Sequence, residues 1–407
     1  MWFYFDRIFV LGQIQDQQLS GVPRGNLSDL YPRWLGAREL ILHGRNPYAD
    51  DITRECELGY YGRVLDPSRP SDPEDRQAFA YPLYVVFLLA PFVWLPFDVV
   101  HSVFNWILLA LTVLSVPLWL RALRWRLPWP EMLSCASLLI GSVPGLQAFK
   151  LQQLTLAVAF LLAGAAALVV EGRLTLAGIL LALSTIKPQL AWPLVLWLTL
   201  WTVSDWRSRR SLAVSFAVTL TVLLTGSAML LPAWPRMFIL ALRQYHQYTH
   251  NSSVPEVVAG FWPGRLIAAA ALLASAWFLW RWRTEAAGHR HFALALALVM
   301  ALTVLIVPMI GPYNQVLLFP SVIYLARAGP RAQPQFLRFP YLAWVFALAA
   351  PWLLSLSLTA VSLAGSPSVA MAGRKFPFLS VLTLPLLTFA LVIAQSRPNL
   401  AEQAAAL

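Results

Sequence analysis

Charged residues are scarce in this sequence: Asp, Glu, Lys and Arg make up only 12% of the 407 residues, whereas 58% are apolar. A soluble protein of this length cannot bury so large an apolar fraction in its core. Apolar runs recur from Tyr81 to the C-terminus, and many approach the ~20 residues that a helix needs to cross a bilayer. We therefore expect an all-α, polytopic membrane protein with about 11–13 transmembrane helices.

Cysteine is almost missing, since Cys56 and Cys135 are the only two. They supply neither a disulfide framework nor a metal-binding spacing. The sequence also lacks a glycine-rich phosphate loop and a dinucleotide-binding fingerprint. The net charge of +11 comes without a nucleic-acid-binding motif, and we attribute it to orientation in the membrane. These absences argue against a soluble nucleotide-dependent domain, a cofactor and a nucleic-acid partner.

Lysine is rare, and its distribution differs from that of arginine. Fourteen of the eighteen arginines after Tyr81 fall in alternate connections between the apolar runs, at 121–126, 173, 207–210, 281–290, 327–338 and 397. By the positive-inside rule these connections are cytoplasmic. The three lysines, Lys150, Lys187 and Lys375, all lie in the intervening connections. Those connections are therefore expected on the outer face of a multi-pass protein of the inner (plasma) membrane.

Residues 12–80 form the one long polar stretch and hold eleven of the nineteen acidic residues. We group residues 1–80 as an N-terminal segment with a long outer loop, and residues 81–407 as a multi-helix transmembrane domain. The loop lies outside if the run at 81–97, interrupted by prolines, re-enters the membrane instead of crossing it. Met1 to Gly12 is too short to span, so it lies in the interface or continues a helix that is encoded upstream.

Asp29 directly precedes a run of apolar residues with helical spacing, from Leu30 to Ile41. An amphipathic helix there would lie on the membrane surface, with the carboxylate at the level of the lipid phosphates. On the outer face nucleotide-activated donors are not expected, so group transfer needs a lipid-delivered substrate and a base for the acceptor hydroxyl. Asp29 is the candidate base. Spacing alone favours a different interpretation, in which Asp29 caps the helix.

Lys187 stands before Pro188 at a polar break between two short apolar runs. A lysine at membrane depth costs about 2.5–3.5 kcal/mol on insertion scales, so it indicates a function, here the stabilisation of a departing phosphate. The alternative is that it snorkels to the headgroups. Gln189 belongs to the same break. Gln152 is expected, with Gln153, either to line the same cavity or to form an interfacial cap.

The outer connection 232–263 carries the segment RQYHQYTHNSSVPE. Its polar residues suit phosphate and sugar hydroxyls: Arg243, His246 and Asn251. A second polar break, GPYNQ at 311–315, adds Asn314. His246 and His250 have a spacing compatible with a metal, but Glu256 is their only acidic neighbour in the sequence, and we predict no metal site.

Three segments together resemble glycosyltransferase family 87: DLYPRWLGARELILHGRNPY, FAYPLYVVFLLAPF, and LQQLTLAVAFLLAGAAALVVEGRLTLAGILLALSTIKPQLAWPLVL. The resemblance implies a GT-C-type fold and sugar transfer from a polyprenol-phosphate-mannose donor, as in the phosphatidylinositol-mannoside pathway. It further implies an inverting reaction with Asp29 as the base, which reverses the preference for a helix cap. Lys187 and Gln189 match the lysine-proline break of the family.

The expected function is therefore the transfer of a hexose, with mannose as the expected sugar, from a polyprenyl-phospho-sugar donor. The acceptor is a hydroxyl of a lipid or glycan on the outer face. A lipid or solute transporter is the alternative, because it would share the helix number and the polar breaks near the membrane midplane. A transporter would not need a base in a long outer loop, and the sequence contains no detectable inverted repeat.

Overall fold

The computed structural model describes residues 1–20, 28–70, 72–249, 252–308, 311–330 and 335–396. Within these ranges the chain is helical and contains no β-strand, which confirms the predicted all-α fold. The N-terminal helices are α1 (Trp2–Tyr4), α2 (Leu11–Ser20), α3 (Tyr31–His43), α4 (Asp50–Tyr61) and α5 (Val85–Leu89). The central helices are α6 (Phe97–Ala122), α7 (Trp129–Gly141), α8 (Val143–Lys150), α9 (Thr155–Val170), α10 (Leu174–Ser184), α11 (Pro188–Val203) and α12 (Trp206–Leu230). The remaining helices are α13 (Trp234–Thr249), α14 (Val254–Ala259), α15 (Phe261–Trp282), α16 (Arg290–Ile306), α17 (Phe319–Ala328), α18 (Arg338–Leu363), α19 (Pro367–Ala372) and α20 (Ser380–Ala394).

Five helical segments of the described chain are long and apolar enough to cross a membrane. They are Phe97–Ala122, Trp206–Leu230, Phe261–Trp282, Gln335–Leu363 and Pro367–Ala394. A sixth span results if α7 and α8, which meet at a bend of 63°, are counted together. The protein is thus a polytopic membrane protein.

Full-length spans are fewer than the 11–13 expected from the apolar runs, because several runs form short helices. Helices α9, α10 and α16 are apolar but have only 10–17 residues each, and the run at 81–97 contains only the short α5 and a 3₁₀ turn, Ala90–Phe92. Broken helices at membrane depth are tolerated where they are buried in protein or line a cavity. The breaks after α10 and α16 do line one, as described below.

The N-terminal segment is helical from Trp2 to Ser20, with a π-helical stretch, Phe5–Val10, between α1 and α2. Its aromatic and aliphatic side chains, including Tyr4 and Phe9, form a small buried cluster with Leu358 and Ala370. The Tyr4 hydroxyl donates a hydrogen bond of 2.5 Å to the backbone carbonyl of Arg374. The segment is therefore packed against the last two spans and does not simply lie in the interface.

The long polar loop folds into α3 and α4, which pack against each other. Helix α3 is the predicted helix after Asp29, but much of it is buried, including Arg33, Trp34 and Ala37. It is therefore held inside the protein rather than on the membrane surface. Helix α3 ends at Gly44, whose φ of +65° is a left-handed conformation that suits glycine.

The arginine-bearing ends of α6, α12, α15 and α17 meet on one face of the described structure, which we call the arginine face. There Arg327 Nη1 donates to the Leu123 carbonyl (3.0 Å), and Trp201 Nε1 donates to the Glu285 carbonyl (2.9 Å). Helices α11 and α16 each have one end at this face. Their other ends lie ~25 Å away along the helix, at the rise of about 1.5 Å per residue. These other ends meet at a cavity.

Candidate active site

A cavity of about 640 Å³ opens opposite the arginine face. Its lining combines apolar residues with six of the residues singled out from the sequence: Asp29, Lys187, Gln189, Arg243, His246 and Asn314. Residues from the long loop, from the breaks after α10 and α16 and from α13 therefore converge here. Gln189, Arg243 and His246 are exposed at the mouth, whereas Lys187 and Asn314 are buried.

Asp29 lies at the wall of this cavity, just before α3. Its backbone N–H donates to the Leu151 carbonyl (2.9 Å), which fixes the loop against the end of α8. The N-cap position of α3 is Leu30, and no side chain caps this helix. The capping interpretation of Asp29 is therefore wrong, and its carboxylate is directed to other partners.

The carboxylate of Asp29 is bound by Gln153, whose Nε2 donates to Asp29 Oδ2. The same side-chain amide accepts a hydrogen bond of 2.5 Å from Lys187 Nζ through its oxygen. The side-chain amide of Gln153 therefore links the Asp29 carboxylate to the Lys187 ammonium group on the cavity wall. Sequence reasoning noted Gln153 as a neighbour of Gln152 but did not select it, because nothing in the sequence tells which of two adjacent glutamines faces inward.

Lys187 is buried, with 4% of its surface exposed. Besides Gln153, Nζ donates to Thr155 Oγ1 (2.8 Å), whose hydroxyl in turn donates to Asn314 Oδ1 (3.1 Å). Nζ also lies 5.3 Å from the ring centroid of Tyr313, within the range of a cation–π contact. The snorkelling alternative is therefore excluded, because the ammonium group is held inside the protein.

Arg33 is a residue of the cavity wall that the sequence analysis missed. It lies on α3 one turn after Asp29, is 8% exposed, and its Nη1 donates to the Asp29 carbonyl (2.6 Å). Its guanidinium carbon is 4.6 Å from the ring centroid of Tyr81, while Nε is buried with no hydrogen-bond partner. The four-residue spacing from Asp29 is the signal that would have identified it.

Gln152 does not line the cavity, which was one of the two roles expected for it from the sequence. Its side chain is fully buried, accepts from Ser28 Oγ (2.6 Å), and donates to the His101 carbonyl (2.6 Å) and to Asn105 Oδ1 (3.1 Å). Its backbone has a φ of +49°, a conformation that is unusual for a residue other than glycine. The turn after α8 therefore directs Gln152 towards α6 and Gln153 into the cavity.

Two further residues named from the sequence cannot be placed. Asn251, predicted to contact sugar or headgroup, lies outside the described residues, as does His250. The possible pairing of His250 with His246 at a metal is therefore not described either.

Burial dominates the electrostatics of Asp29. It raises the pKa of the Asp29 carboxyl above its usual range, and the positive charges of Arg33 and Lys187 oppose this shift. A carboxylate whose pKa is raised is a stronger base than an exposed one, and it still ionises when cations lie nearby. The site is therefore equipped to accept a proton at one end and to stabilise negative charge at the other.

A second, smaller cavity of about 330 Å³ is lined by two residues that contact Asp29, Tyr60 and Leu151. Its lining is largely polar and includes Gln13, Asp16, Tyr60, Gln147 and Lys150. The Tyr60 hydroxyl lies 3.5 Å from Asp29 Oδ1. Asp29 therefore lines the larger cavity and contacts the wall of the smaller one.

Comparison with known protein families places this geometry in context. The family profile described as glycosyltransferase family 87 matches residues 79–308, more than half of the chain. The match includes Gln153, Lys187, Arg243 and His246, whereas Asp29 precedes it. No curated protein and no solved structure matches the chain. The chain belongs to glycosyltransferase family 87 and is a membrane glycosyltransferase.

Proposed function

We propose that this enzyme transfers a hexose, with mannose as the expected sugar, from a polyprenyl-phosphate carrier to a hydroxyl of a lipid or glycan acceptor, with inversion. The observation that carries the proposal is the Asp29–Gln153–Lys187 arrangement: a carboxylate and a buried ammonium group on one wall, joined by a single amide. Residues 1–80 then supply the base, and the transmembrane domain, residues 81–407, supplies the cations.

In the proposed reaction, Asp29 accepts the proton of the acceptor hydroxyl as its oxygen attacks the anomeric carbon of the sugar. The bond between that carbon and the phosphate oxygen breaks, and polyprenyl phosphate leaves with the electron pair. Lys187 stabilises the charge that develops on the phosphate. Arg243 and His246 at the mouth of the cavity are suited to the same charge. Gln189 and Asn314 are assigned to sugar or headgroup contacts.

The apolar part of the cavity supports a lipid-linked donor. Helix α13 contributes Phe238, Ile239 and Leu242 to the lining. Of these, Ile239 is 50% exposed and Leu242 is 40% exposed. A prenyl chain fits such an apolar wall that continues to the surface, whereas a nucleotide-sugar donor would need a polar nucleotide site. The donor phosphate would then meet Lys187 and Arg243 next to this wall.

The smaller cavity suits the acceptor. It offers hydrogen-bonding side chains to a hydroxylated molecule, and its Lys150 also lines an apolar groove of about 470 Å³ with Trp2, Phe5 and Trp106. An acceptor with a polar head and an apolar chain would extend over both. Inversion by a single displacement requires the acceptor hydroxyl to attack the anomeric carbon from the side opposite the phosphate. An acceptor that enters from this cavity would place its hydroxyl beside Asp29 for that attack.

The orientation in the membrane rests on the arginine face. Because cytoplasmic connections are enriched in arginine and lysine, we assign the arginine face to the cytoplasm and the cavity to the outer side of the plasma membrane. The alternative function, a transporter, would not require a carboxylate hydrogen-bonded within a buried network. Membership of a glycosyltransferase family also supports transfer over transport.

The proposal is tested by incubating the purified protein with a panel of polyprenyl-phospho-hexoses and a mixed lipid and glycan acceptor fraction. We expect release of polyprenyl phosphate and an acceptor of increased mass, with the opposite anomeric configuration from the donor by NMR. Nucleotide-activated hexoses serve as the matched negative donors. Transfer from a nucleotide sugar in the absence of any polyprenyl carrier would contradict the proposed donor class.

A further inference from the structure

A group of three metal-ligating side chains lies on the arginine face, in the connection between α15 and α16. Glu285, His289 and His291 each offer one ligand atom, and these atoms all lie within 4.8 Å of one another. Among the described residues this is the one cluster of three or more histidine, cysteine or carboxylate side chains with such spacing. It stands at the end of α16 opposite the catalytic cavity, so it is independent of the proposed transfer reaction.

The carboxylate of Glu285 lies close to both imidazoles. Glu285 Oε1 lies 3.0 Å from His291 Nδ1, and Glu285 Oε2 lies 3.2 Å from His289 Nδ1. Bonds of ~2.0–2.1 Å to a tetrahedral zinc ion place neighbouring ligand atoms about 3.3 Å apart. The ligand atoms of the three residues lie within 4.8 Å of one another, so binding one ion to the carboxylate and both imidazoles requires the side chains to draw closer together.

The framework around the three ligands is held in place by packing and hydrogen bonds. The His291 ring stacks on Trp282, with the centroids 5.5 Å apart and an angle of 10° between the planes. The Glu285 carbonyl accepts from Trp201 Nε1 (2.9 Å) and from Arg209 Nη2 (3.3 Å). The His289 backbone N–H donates to the Ala286 carbonyl (2.9 Å). This organisation lowers the entropic cost of assembling a coordination site.

We propose that Glu285, His289 and His291 bind a divalent transition-metal ion of the zinc type, with a water molecule in the fourth position. Two imidazoles and one carboxylate are an established ligand set for such an ion, and their nitrogen-rich character disfavours magnesium and calcium. The bound ion joins the end of α15 to the start of α16. It therefore stabilises the turn at which Trp201 and Arg209, from α11 and α12, are anchored.

Without a metal, the same positions are explained by ordinary hydrogen bonds: His291 Nδ1–H donates to Glu285 (3.0 Å), and His289 Nδ1 accepts from the His291 backbone N–H (3.3 Å) at the start of α16. The two explanations differ in what a metal titration shows. Tag-free protein in detergent micelles is treated with a chelator, dialysed, and titrated with Zn²⁺ and separately with Co²⁺. We expect one ion per chain by calorimetry and visible absorption bands of four-coordinate Co²⁺.

The substitutions His289→Ala and His291→Ala should each weaken metal binding by at least ~10-fold, because even outer partners of a metal site change affinity by about 10–100-fold. His43→Ala, which alters an exposed histidine on α3, is the control for binding to surface histidines and should leave the affinity unchanged. If an alanine variant does not fold, Glu285→Gln decides the question, since it keeps the size of the side chain and the backbone carbonyl contacts. Binding of fewer than one ion, or affinity that Glu285→Gln leaves unchanged, would overturn the proposal.

Discussion

Lys187 Nζ donates a hydrogen bond of 2.5 Å to the side-chain oxygen of Gln153. The nitrogen of the same amide donates to Asp29, so the amide cannot rotate without losing both bonds. The position of the carboxylate is therefore coupled to that of the ammonium group, although the two residues come from distant parts of the chain. In the proposed reaction this coupling keeps the base and the phosphate-stabilising cation at a fixed separation across the sugar.

The substitution Asp29→Asn tests the proposed base. Asparagine keeps the size of the side chain and can still accept from Gln153, but it cannot take the acceptor proton. Loss of a general base lowers rates by ~10²–10⁴-fold, so we expect sugar transfer to fall by that factor while donor binding persists. Transfer is measured as polyprenyl phosphate released per minute. Asp66→Asn, in the same loop but at a partly exposed position, is the control, and near-normal transfer by Asp29→Asn would remove Asp29 from the mechanism.

The pKa of Asp29 gives a pH dependence for activity. Because burial raises this pKa above the ordinary value, the carboxylate becomes available as a base only above ~3.9, the value for an unperturbed aspartate. We therefore expect kcat to rise with pH, with a midpoint above that of an exposed aspartate. A pH–rate profile without an acidic limb in the range where the protein stays folded would contradict this.

The same shift predicts how stability depends on pH. Since the folded-state pKa is above the unfolded one, the folded protein binds more protons between the two values, and its free energy of unfolding decreases as the pH rises through that window. The cost of the buried charge is fully present above the folded-state pKa and is lost below the unfolded-state pKa. Asp29→Asn should therefore unfold at a temperature at least equal to that of wild type at neutral pH. A clearly lower Tm would indicate a structural role instead.

Lys187 is expected to act on the donor. Lys187→Ala removes the buried cation and should raise the KM for the polyprenyl-phospho-sugar and lower kcat, whereas Lys187→Arg should restore part of the activity if charge is what the phosphate requires. Kinetics at varied donor concentration separate the two parameters. An unchanged KM and kcat in Lys187→Ala would show that this residue serves the fold alone.

Substitution of Gln153 should change the pH dependence of activity, whereas substitution of the adjacent Gln152 should change stability. Gln153→Leu removes an N–H that stabilises the ionised carboxylate, so it should raise the pKa of Asp29 further and move the acidic limb of the pH–rate profile to higher pH. Gln152→Leu instead leaves the buried Ser28 and the half-buried Asn105 without their bonds to this side chain, at a cost of ~1–3 kcal/mol of stability. Thermal unfolding and pH–rate profiles of both variants are compared. If the acidic limb shifted in Gln152→Leu but not in Gln153→Leu, Gln152 rather than Gln153 would be the partner of Asp29.

The orientation of the protein can be checked with reporter fusions. Truncation and fusion at Gly288, on the arginine face, should give a cytoplasmic signal from a fluorescent reporter. Fusion at Gly373, in a lysine-bearing connection, should give an outer signal from a phosphatase that is active only outside the cytoplasm. The positive-inside rule is the basis for both. A cytoplasmic signal at both positions would be incompatible with the assigned sides.

Much of this protein follows from the sequence alone. Composition determines that the chain is helical and lies in a membrane, because no water-soluble core holds so many apolar residues. The alternation of arginine-bearing connections predicts which ends of the helices lie together, and the structure brings the arginine-bearing ends of α6, α12, α15 and α17 to one face. Polar breaks in apolar runs identify Lys187 and Asn314, since a buried polar residue at membrane depth is costly unless it has a function.

Other features were decided only by the tertiary structure. The direction of each side chain after α8 depends on the turn at Gln152, whose φ of +49° no local pattern predicts, and this turn makes Gln153 the partner of Asp29. Whether Asp29 caps a helix or faces a cavity likewise depends on contacts with residues more than a hundred positions away. The length of an apolar run in the sequence does not predict the length of the helix that it forms. A break in a helix at membrane depth is stable only where other helices bury it or where it lines a cavity, and the sequence does not show either. Sequence spacing shows which residues are near one another along the chain, whereas the site is formed by residues that are distant in the sequence and close in the folded protein.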